Sequence, residues 1–166
     1  MAVIISEPQT RKLIDMAQAV ESLDKMFRDR AAGKVRGVAR RRLKGSDKQL
    51  NMMAAWHQDM DLLCLRAYGG EANTITLYSG RTGAIQAIID MGYLSSFRTG
   101  AATGVAAKYL APKNSKVLGI IGPGWQATFQ LQSVAETCAI EQVLVYGRTP
   151  KRPRDFIKQM SKVVKA

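Results

Sequence analysis

The chain has 166 residues, 46% of them hydrophobic, which is enough for about one compact domain with an apolar core and argues against disorder. No apolar run reaches the ~18 residues that a membrane-spanning helix needs. The two cysteines, Cys64 and Cys138, are too few for a disulfide framework. We therefore expect a reduced, cytoplasmic protein that does not enter a membrane.

The formal net charge of +12 is concentrated in two segments. Residues 28–48 contribute +7 and residues 148–166 contribute +6, so the rest of the chain is close to neutral. Such clusters can bind phosphates or nucleic acid. A solvated basic surface is the more common cause of a charge run, so a basic nucleic-acid-binding module is the least favoured alternative.

The first part of the chain predicts a small α+β unit. Apolar residues recur at helical spacing over residues 7–32, and a glycine follows them as a suitable helix end. Residues 33–45 look like a loop, and residues 35–55 are ambiguous. If the segment is extended, Arg40 and Arg42 fall on one face. The predicted strands are Leu62–Tyr68, Thr74–Tyr78 and Ala84–Ile89, the last two separated by a turn at Arg81–Gly83.

From Thr99 onward the pattern changes to alternating helices and strands. Thr99 is a candidate N-cap for a helix over residues 100–111, whose small side chains let another backbone or a ligand come close. The elements predicted next are a strand at Lys116–Ile121, a helix near Gln126–Cys138, a strand at Gln142–Tyr146 and a helix from about Lys151. This order predicts an α/β fold with a βαβ unit in the second part of the chain.

The segment Gly122-Pro-Gly-Trp-Gln-Ala127 matches G-x-G-x-x-G/A at the point where a predicted strand meets a helix. Gly122 would make the tight turn, Gly124 would let the backbone approach a pyrophosphate, and Ala127 would permit close packing of helix on strand. The start of the helix offers N–H groups and the positive end of its dipole to phosphates. The motif therefore predicts dinucleotide binding.

The end of the second strand indicates which dinucleotide binds. NAD enzymes usually place an acidic residue there, about 20 residues past the glycines, to bond the ribose 2′-hydroxyl. Gly147-Arg148-Thr149 stands there in this chain. Because no carboxylate would repel a 2′-phosphate and Arg148 could bind one, the cofactor is predicted to be NAD(P), with NADP(H) favoured. The alternative is that Arg148 is simply solvated.

Three segments together resemble the ornithine cyclodeaminase/mu-crystallin family, which also contains alanine dehydrogenases and pyrroline-carboxylate reductases. The segments are Phe97–Ala111, Gly119–Ala127 and Val145–Pro150. The resemblance implies an α+β substrate and dimerisation domain, residues 1–112 here, followed by the first part of a Rossmann domain, residues 113–166. It also implies hydride transfer from the α-carbon of an amino acid to a nicotinamide. Cyclodeaminases then close a ring and expel ammonia.

The same resemblance assigns the binding of the substrate carboxylate to arginines, whose planar guanidinium suits that task. These are Arg98, beside the cofactor, together with Arg66 and Arg40, and Arg41 or Arg42 could take the place of Arg40. Arg98, Thr99, Trp125 and Gln126 fall at cofactor-contacting positions, in addition to Gly122, Gly124, Arg148 and Thr149.

Two departures from the family pattern bear on catalysis. Arg66 stands where catalytic members usually have lysine, and a guanidinium does not readily lose a proton. The catalytic aspartate of the family lies beyond residue 166, so no catalytic residue is assigned and a partial or inactive chain is expected. A mu-crystallin-like protein that binds NADP(H) without catalysis is therefore an open alternative. The full-length form is expected to be a homodimer acting on a small amino or imino acid.

Other chemistries have little support. His57 is the single histidine, so it is expected to be an ordinary, partly buried side chain, and no metal site is predicted. Asp59 and Asp61 fit a turn better than a pair of catalytic carboxylates.

Overall fold

The computed structural model describes residues 1–164, which fall into two compact units. The first, called the sheet unit below, contains Met1–Leu13 and Lys25–Ser95. The second, called the βαβ unit, contains Ile14–Asp24 and the chain from Ser96 onward. The domain boundary after residue 112 stays a prediction.

The strands are β1 (Val3–Ile5), β2 (Val35–Lys44), β3 (Gln49–His57), β4 (Leu62–Gly69), β5 (Ala72–Ser79), β6 (Ile85–Asp90), β7 (Val117–Ile121) and β8 (Gln142–Tyr146). The helices are α1 (Glu7–Leu13), α2 (Met16–Ala31), α3 (Gly92–Leu110), α4 (Trp125–Thr137) and α5 (Lys151–Met160). In residues 1–164 no helix has both the length and the apolar character to cross a membrane.

The sheet unit is built on one six-stranded sheet in the order β1-β6-β5-β4-β3-β2. Strands β2 to β6 are successive antiparallel neighbours, and the short β1 pairs in parallel with β6. The strands predicted in residues 62–89 are confirmed, with small shifts at their ends, and Gly83 lies in the predicted turn with φ +71°.

The basic segment after α2 is a strand, so the loop predicted for residues 33–45 is wrong and the extended alternative left open for residues 35–55 is confirmed for β2 and β3. β2 pairs with β3 from Val35↔His57 to Lys44↔Gln49, with a register irregularity between Val38 and Arg41. Nearly all of its side chains are exposed, and backbone hydrogen bonding to β3 keeps the segment extended. Hydrogen bonding to a neighbouring strand leaves little trace in the sequence of the segment itself, so the strand could not be recognised from that sequence alone.

Two helix boundaries also differ from prediction. The helix expected over residues 7–32 is divided into α1 and α2, because the Asp15 carboxylate accepts a hydrogen bond from the Gln18 N–H at 2.9 Å and caps the start of α2. α3 begins at Gly92, whose N–H donates to the Asp90 carboxylate at 2.8 Å. Thr99 therefore lies about two turns inside α3, and the prediction that it caps a helix is wrong.

The βαβ unit contains the predicted strand–helix–strand order. β7 and β8 are parallel, in register from Val117↔Gln142 to Ile121↔Tyr146. One face of this pair packs on α4 and α5, and its core residues are Leu118, Ile120, Ala127, Leu131, Val143, Val145, Phe156 and Met160. On the other face Val117, Ile121, Leu144 and Tyr146 are exposed. A parallel sheet is normally covered on both faces, so this apolar face is an aggregation hazard in the isolated chain.

Close packing of α3 on α4 holds the start of α4 in place. A Cβ atom added at Gly100 would lie 2.5 Å from the Cβ of Phe129, and one added at Gly104 would lie 2.7 Å from the carbonyl oxygen of Ser133. The Ser133 hydroxyl donates a hydrogen bond to the Gly100 carbonyl at 2.6 Å. The small residues of α3 therefore admit the backbone of another helix, which was one of the two partners that the sequence left open.

Candidate functional site

The turn between β7 and α4 has the backbone geometry that its glycines predict. Gly122 has φ +88°, a left-handed conformation that a side chain disfavours. Its N–H donates to the carbonyl of Tyr146 at 2.9 Å, so the turn is attached to the end of β8. A Cβ at Gly147 would lie 3.1 Å from Pro123, which shows how closely the two strand ends approach.

Gly124 leaves open the space in front of α4. It is the N-cap of α4, with φ −106° and no side-chain hydrogen bond to the helix start. A Cβ added to Gly124 would meet no atom within 4 Å. The first N–H groups of a helix have no acceptor within the helix and bind anions well. The turn therefore fits a pyrophosphate that approaches the backbone at Gly124.

A cavity of about 650 Å³ surrounds this turn. It is lined by Ile121, Gly122, Pro123, Gly124, Tyr146, Gly147, Arg148, Thr149 and Arg152. Two glycines and two β8-end residues predicted to bind cofactor, Arg148 and Thr149, are thus brought together. Arg152, which was not assigned to the site, joins them because α5 begins immediately after Pro150, and its N–H donates to the Thr149 carbonyl at 3.2 Å. The position of Arg152 in the first turn of α5, just after Thr149, is the feature of the sequence that could have indicated its place in the site.

The other predicted cofactor residues of this unit lie outside that cavity lining. Trp125 is in the first turn of α4, where its indole N–H donates to the Ser96 hydroxyl at 2.9 Å and its ring stands edge-on to Phe129 at 5.0 Å. Gln126 follows it and is exposed. Arg98 is exposed on α3, next to Thr99. Their roles toward a cofactor or substrate stay predictions.

In the sheet unit, two predicted substrate residues lie beside one aromatic ring. The Cζ atom of Arg66 is 4.6 Å from the centroid of the Tyr68 ring, and that of Arg40 is 5.7 Å from the same centroid. Arg66 is half-buried, and its Nη2 donates to the Ser95 hydroxyl at 2.8 Å and to Asn73 Oδ1 at 3.2 Å. Sequence reasoning did not identify Tyr68 as the shared contact.

Arg40 and its two neighbours are part of the exposed strand β2. Arg40, Arg41, Arg42 and Met53 line an open depression. All three arginines are exposed, so the structure leaves the choice among them for the substrate carboxylate as open as the sequence did.

The groups with shifted pKa values are Asp29, Cys64 and Tyr93. A hydrogen bond from Lys25 lowers the pKa of Asp29, to which His57 is also bonded at 3.1 Å. Burial raises the pKa of the Cys64 thiol and of the Tyr93 phenol. His57 is the partly buried, hydrogen-bonded side chain that was expected. Within the described part of the chain, no three His, Cys, Asp or Glu side chains are grouped as a metal site would require.

Comparisons by sequence and by structure match this chain to the same group of proteins. The model of the ornithine cyclodeaminase/mu-crystallin family matches residues 2–166. The alanine dehydrogenase of Archaeoglobus fulgidus is 33% identical over 163 residues, which cover 93% of this chain and 51% of that protein. The iminosuccinate reductase of Paracoccus denitrificans is 28% identical over 161 residues, which cover 89% of this chain and 50% of the relative.

Solved structures extend the match to the fold. The Δ¹-pyrroline-2-carboxylate reductase of Thermococcus litoralis, in complex with NADH and L-proline, superposes with a TM-score of 0.87 at 33% identity, covering 96% of this chain and 54% of that one. The Paracoccus iminosuccinate reductase in complex with NAD⁺ superposes with a TM-score of 0.88 at 26% identity, covering 96% and 55%. The chain thus spans about half the length of the relatives it matches.

Proposed function

Because this chain belongs to the ornithine cyclodeaminase/mu-crystallin family, we propose that it provides the nucleotide site and substrate-binding arginines of an amino-acid or imino-acid oxidoreductase. The relatives' names, alanine dehydrogenase and iminosuccinate reductase, support this class of reaction. The observation that carries the proposal is the glycine turn at Gly122–Gly124, with left-handed backbone at its first glycine and open space above its last.

The residues of the turn would hold the ADP half of a nicotinamide dinucleotide. Gly124 and the first turn of α4 would bind the pyrophosphate through backbone N–H groups. Arg148 and Thr149, at the end of β8, would bind the adenosine ribose. When bound, the nicotinamide ring supplies a two-electron hydride acceptor or donor. The protein's own task in this half is to bind and orient the nucleotide.

Substrate binding would fall to arginines that grip a carboxylate with paired N–H donors. Arg40 and Arg66 in the sheet unit and Arg98 in the βαβ unit are the candidates. None of these guanidinium groups is suited to proton transfer near neutral pH, so their proposed role is binding and orientation of a small amino or imino acid.

Calorimetric titration of the chain with ADP-ribose tests the nucleotide site directly, because this probe contains the pyrophosphate and omits the nicotinamide. We expect saturable binding with one site per chain. NADH titrated under the same conditions should compete with ADP-ribose. No heat of binding with either probe, on a sample shown to be folded by circular dichroism, contradicts the proposal.

The preference for NADP(H) is a finer part of the proposal. Arg148 and Arg152 both line the cavity at the end of β8, where a 2′-phosphate would lie. We expect the Arg148→Gln variant to bind NADPH more weakly by roughly tenfold to a hundredfold, since a charge-assisted hydrogen bond contributes roughly 1.5–3 kcal/mol. NADH affinity should change little.

Arg154→Gln is the matched control for this change, because Arg154 is an exposed arginine of α5 that bonds the Pro150 carbonyl and does not line the cavity. Both affinities should be unchanged in that variant. If the native chain binds NADH and NADPH equally well, the preference for NADP(H) is wrong, although dinucleotide binding stands.

A second candidate function is dinucleotide binding without catalysis, as in a mu-crystallin-like protein. It is favoured by Arg66, whose guanidinium is held by Ser95 and Asn73 and cannot serve as a general base. The two functions are separated by incubating the protein with NAD⁺ or NADP⁺ and L-alanine or L-proline. An increase in the absorbance of the reduced nicotinamide supports the oxidoreductase. Tight cofactor binding without that increase supports the second function. The homodimer remains a prediction that light scattering can test.

A further inference from the structure

The indole ring of Trp125, the first residue of α4, is held in one orientation by α3 and by its own helix. Its N–H donates a hydrogen bond to the Ser96 hydroxyl at 2.9 Å. The ring stands edge-on to Phe129, with the two ring centroids 5.0 Å apart, and Phe129 is in turn edge-on to Phe97 at 5.9 Å. Both phenylalanines are buried. One edge of the indole is therefore fixed to a buried part of the βαβ unit.

The rest of this ring is open to solvent. Trp125 is 55% exposed, although tryptophan is highly buried on average. The single polar atom of the indole already bonds to Ser96, so the ring offers a ligand its aromatic surface and no further polar group. A ring that is exposed and already oriented loses little conformational entropy when a ligand packs against it. Trp125 therefore has the properties of a preformed contact for a flat ligand ring.

The position of this ring relative to the glycine turn indicates which part of a dinucleotide it meets. Trp125 directly follows Gly124, where the pyrophosphate is proposed to approach the backbone. The ADP half would extend from there to the end of β8, into the cavity that Arg148 and Thr149 line and Trp125 does not. The indole is bonded to α3 instead. Because a dinucleotide in a Rossmann crevice extends on both sides of its pyrophosphate, the half on the Trp125 side is the nicotinamide half.

We infer that Ser96 is a positioning residue of the nucleotide site, which holds the Trp125 indole where the ring packs against the nicotinamide of the bound cofactor. Ser96 is itself buried, so it acts through Trp125 and does not touch the ligand. The inference rests on the proposed function. It adds Ser96 to the site and assigns Trp125 to one half of the cofactor.

The test compares NADH with ADP-ribose, which lacks only the nicotinamide, by calorimetric titration of the whole chain. We expect the native chain to bind NADH severalfold to about tenfold more tightly, which is the size of effect that a contact between two aromatic rings produces. Trp125→Phe keeps a ring but has no N–H, and Ser96→Ala removes the acceptor. In both variants NADH affinity should fall most of the way to that of ADP-ribose, and ADP-ribose affinity should stay unchanged.

The double variant separates positioning of the indole from a general effect on folding. Both single changes remove the same hydrogen bond, so Ser96→Ala should weaken NADH binding no further when it is made in Trp125→Phe. Fluorescence anisotropy gives a second readout in a Trp56→Phe background, where Trp125 is the single tryptophan. Ser96→Ala should lower the anisotropy of the Trp125 emission before any nucleotide is added, because the released indole is free to move.

Thr137→Val is the matched control. The Thr137 hydroxyl also donates within the βαβ unit, to the carbonyls of Ser133 and Val134 at 3.2 Å, but Thr137 is the last residue of α4 and Trp125 is the first. NADH and ADP-ribose should each bind this variant as they bind the native chain.

The inference is overturned if the native chain binds NADH and ADP-ribose equally, or if Ser96→Ala leaves NADH affinity unchanged or weakens both probes alike. Additive effects in the double variant also overturn it, since Ser96 would then act independently of the indole. Retained ADP-ribose binding in any of these cases leaves the nucleotide site standing. Absence of ADP-ribose binding by the native chain contradicts the nucleotide site, and this inference with it.

Discussion

Replacement of Gly124 by alanine is expected to abolish most nucleotide binding while leaving the fold intact. The backbone φ of −106° at Gly124 is open to any residue, and the added methyl group would meet no protein atom within 4 Å. The space that it fills is where a pyrophosphate would contact the N–H groups of α4. We expect ADP-ribose affinity to fall by more than about tenfold, or ~1.4 kcal/mol, with an unchanged melting temperature.

Two further glycines serve as controls for Gly124→Ala. Gly119 of β7 also has no atom within 4 Å of an added Cβ but lies outside the turn, so Gly119→Ala should leave binding unchanged and should not lower stability. Gly122→Ala should lower stability by about 1–2 kcal/mol, because φ +88° is unfavourable for alanine. Native-like ADP-ribose binding by Gly124→Ala would show that the nucleotide does not approach this turn.

The second large effect is expected from Gly100→Ala in α3. Alanine at a helix interior is better than glycine by about 1 kcal/mol, which by itself would stabilise the helix. The new Cβ would, however, lie 2.5 Å from the Cβ and 2.6 Å from the carbonyl carbon of Phe129. The backbone of α4 must move to relieve this contact. We expect this overpacking to cost roughly 1–3 kcal/mol or more, which exceeds the gain in helix propensity.

The free energy of unfolding, measured by urea denaturation, should therefore fall in Gly100→Ala. Gly104→Ala should behave similarly, since its Cβ would lie 2.7 Å from the Ser133 carbonyl oxygen. Ala106 is exposed on the same helix, so Ala106→Gly measures how much helix propensity alone changes the free energy of unfolding. A rise in stability for Gly100→Ala would mean that the two helices are not in close contact.

Much of the βαβ unit could be predicted because its signals are local. The apolar strands β7 and β8, the glycines between β7 and α4 and the position of Ala127 each specify their own short segment. The family resemblance is carried by these same segments, and both the family and the mixed α/β fold are confirmed. The start of α3, which belongs to the sheet unit, was misplaced because the Asp90 cap lies nine residues before the apparent one at Thr99.

The sheet unit was less predictable, since its organisation depends on pairing between distant residues. β2 has the composition of a basic loop and is extended only because β3 pairs with it. No local pattern indicates that Arg40 and Arg66, on strands separated by β3, contact one ring. The placement of these two arginines beside Tyr68 is for this reason visible only in the folded chain.

The feature with the strongest functional meaning, the glycine turn, was determined by the sequence alone, because its backbone conformation depends on residue types at fixed short spacing. The tertiary structure decided which side chains surround that turn. Arg152 reaches it through the start of α5, and Gly100 admits α4 rather than a ligand. Short-range backbone preferences are encoded residue by residue, whereas the meeting of distant side chains follows from strand order and helix packing.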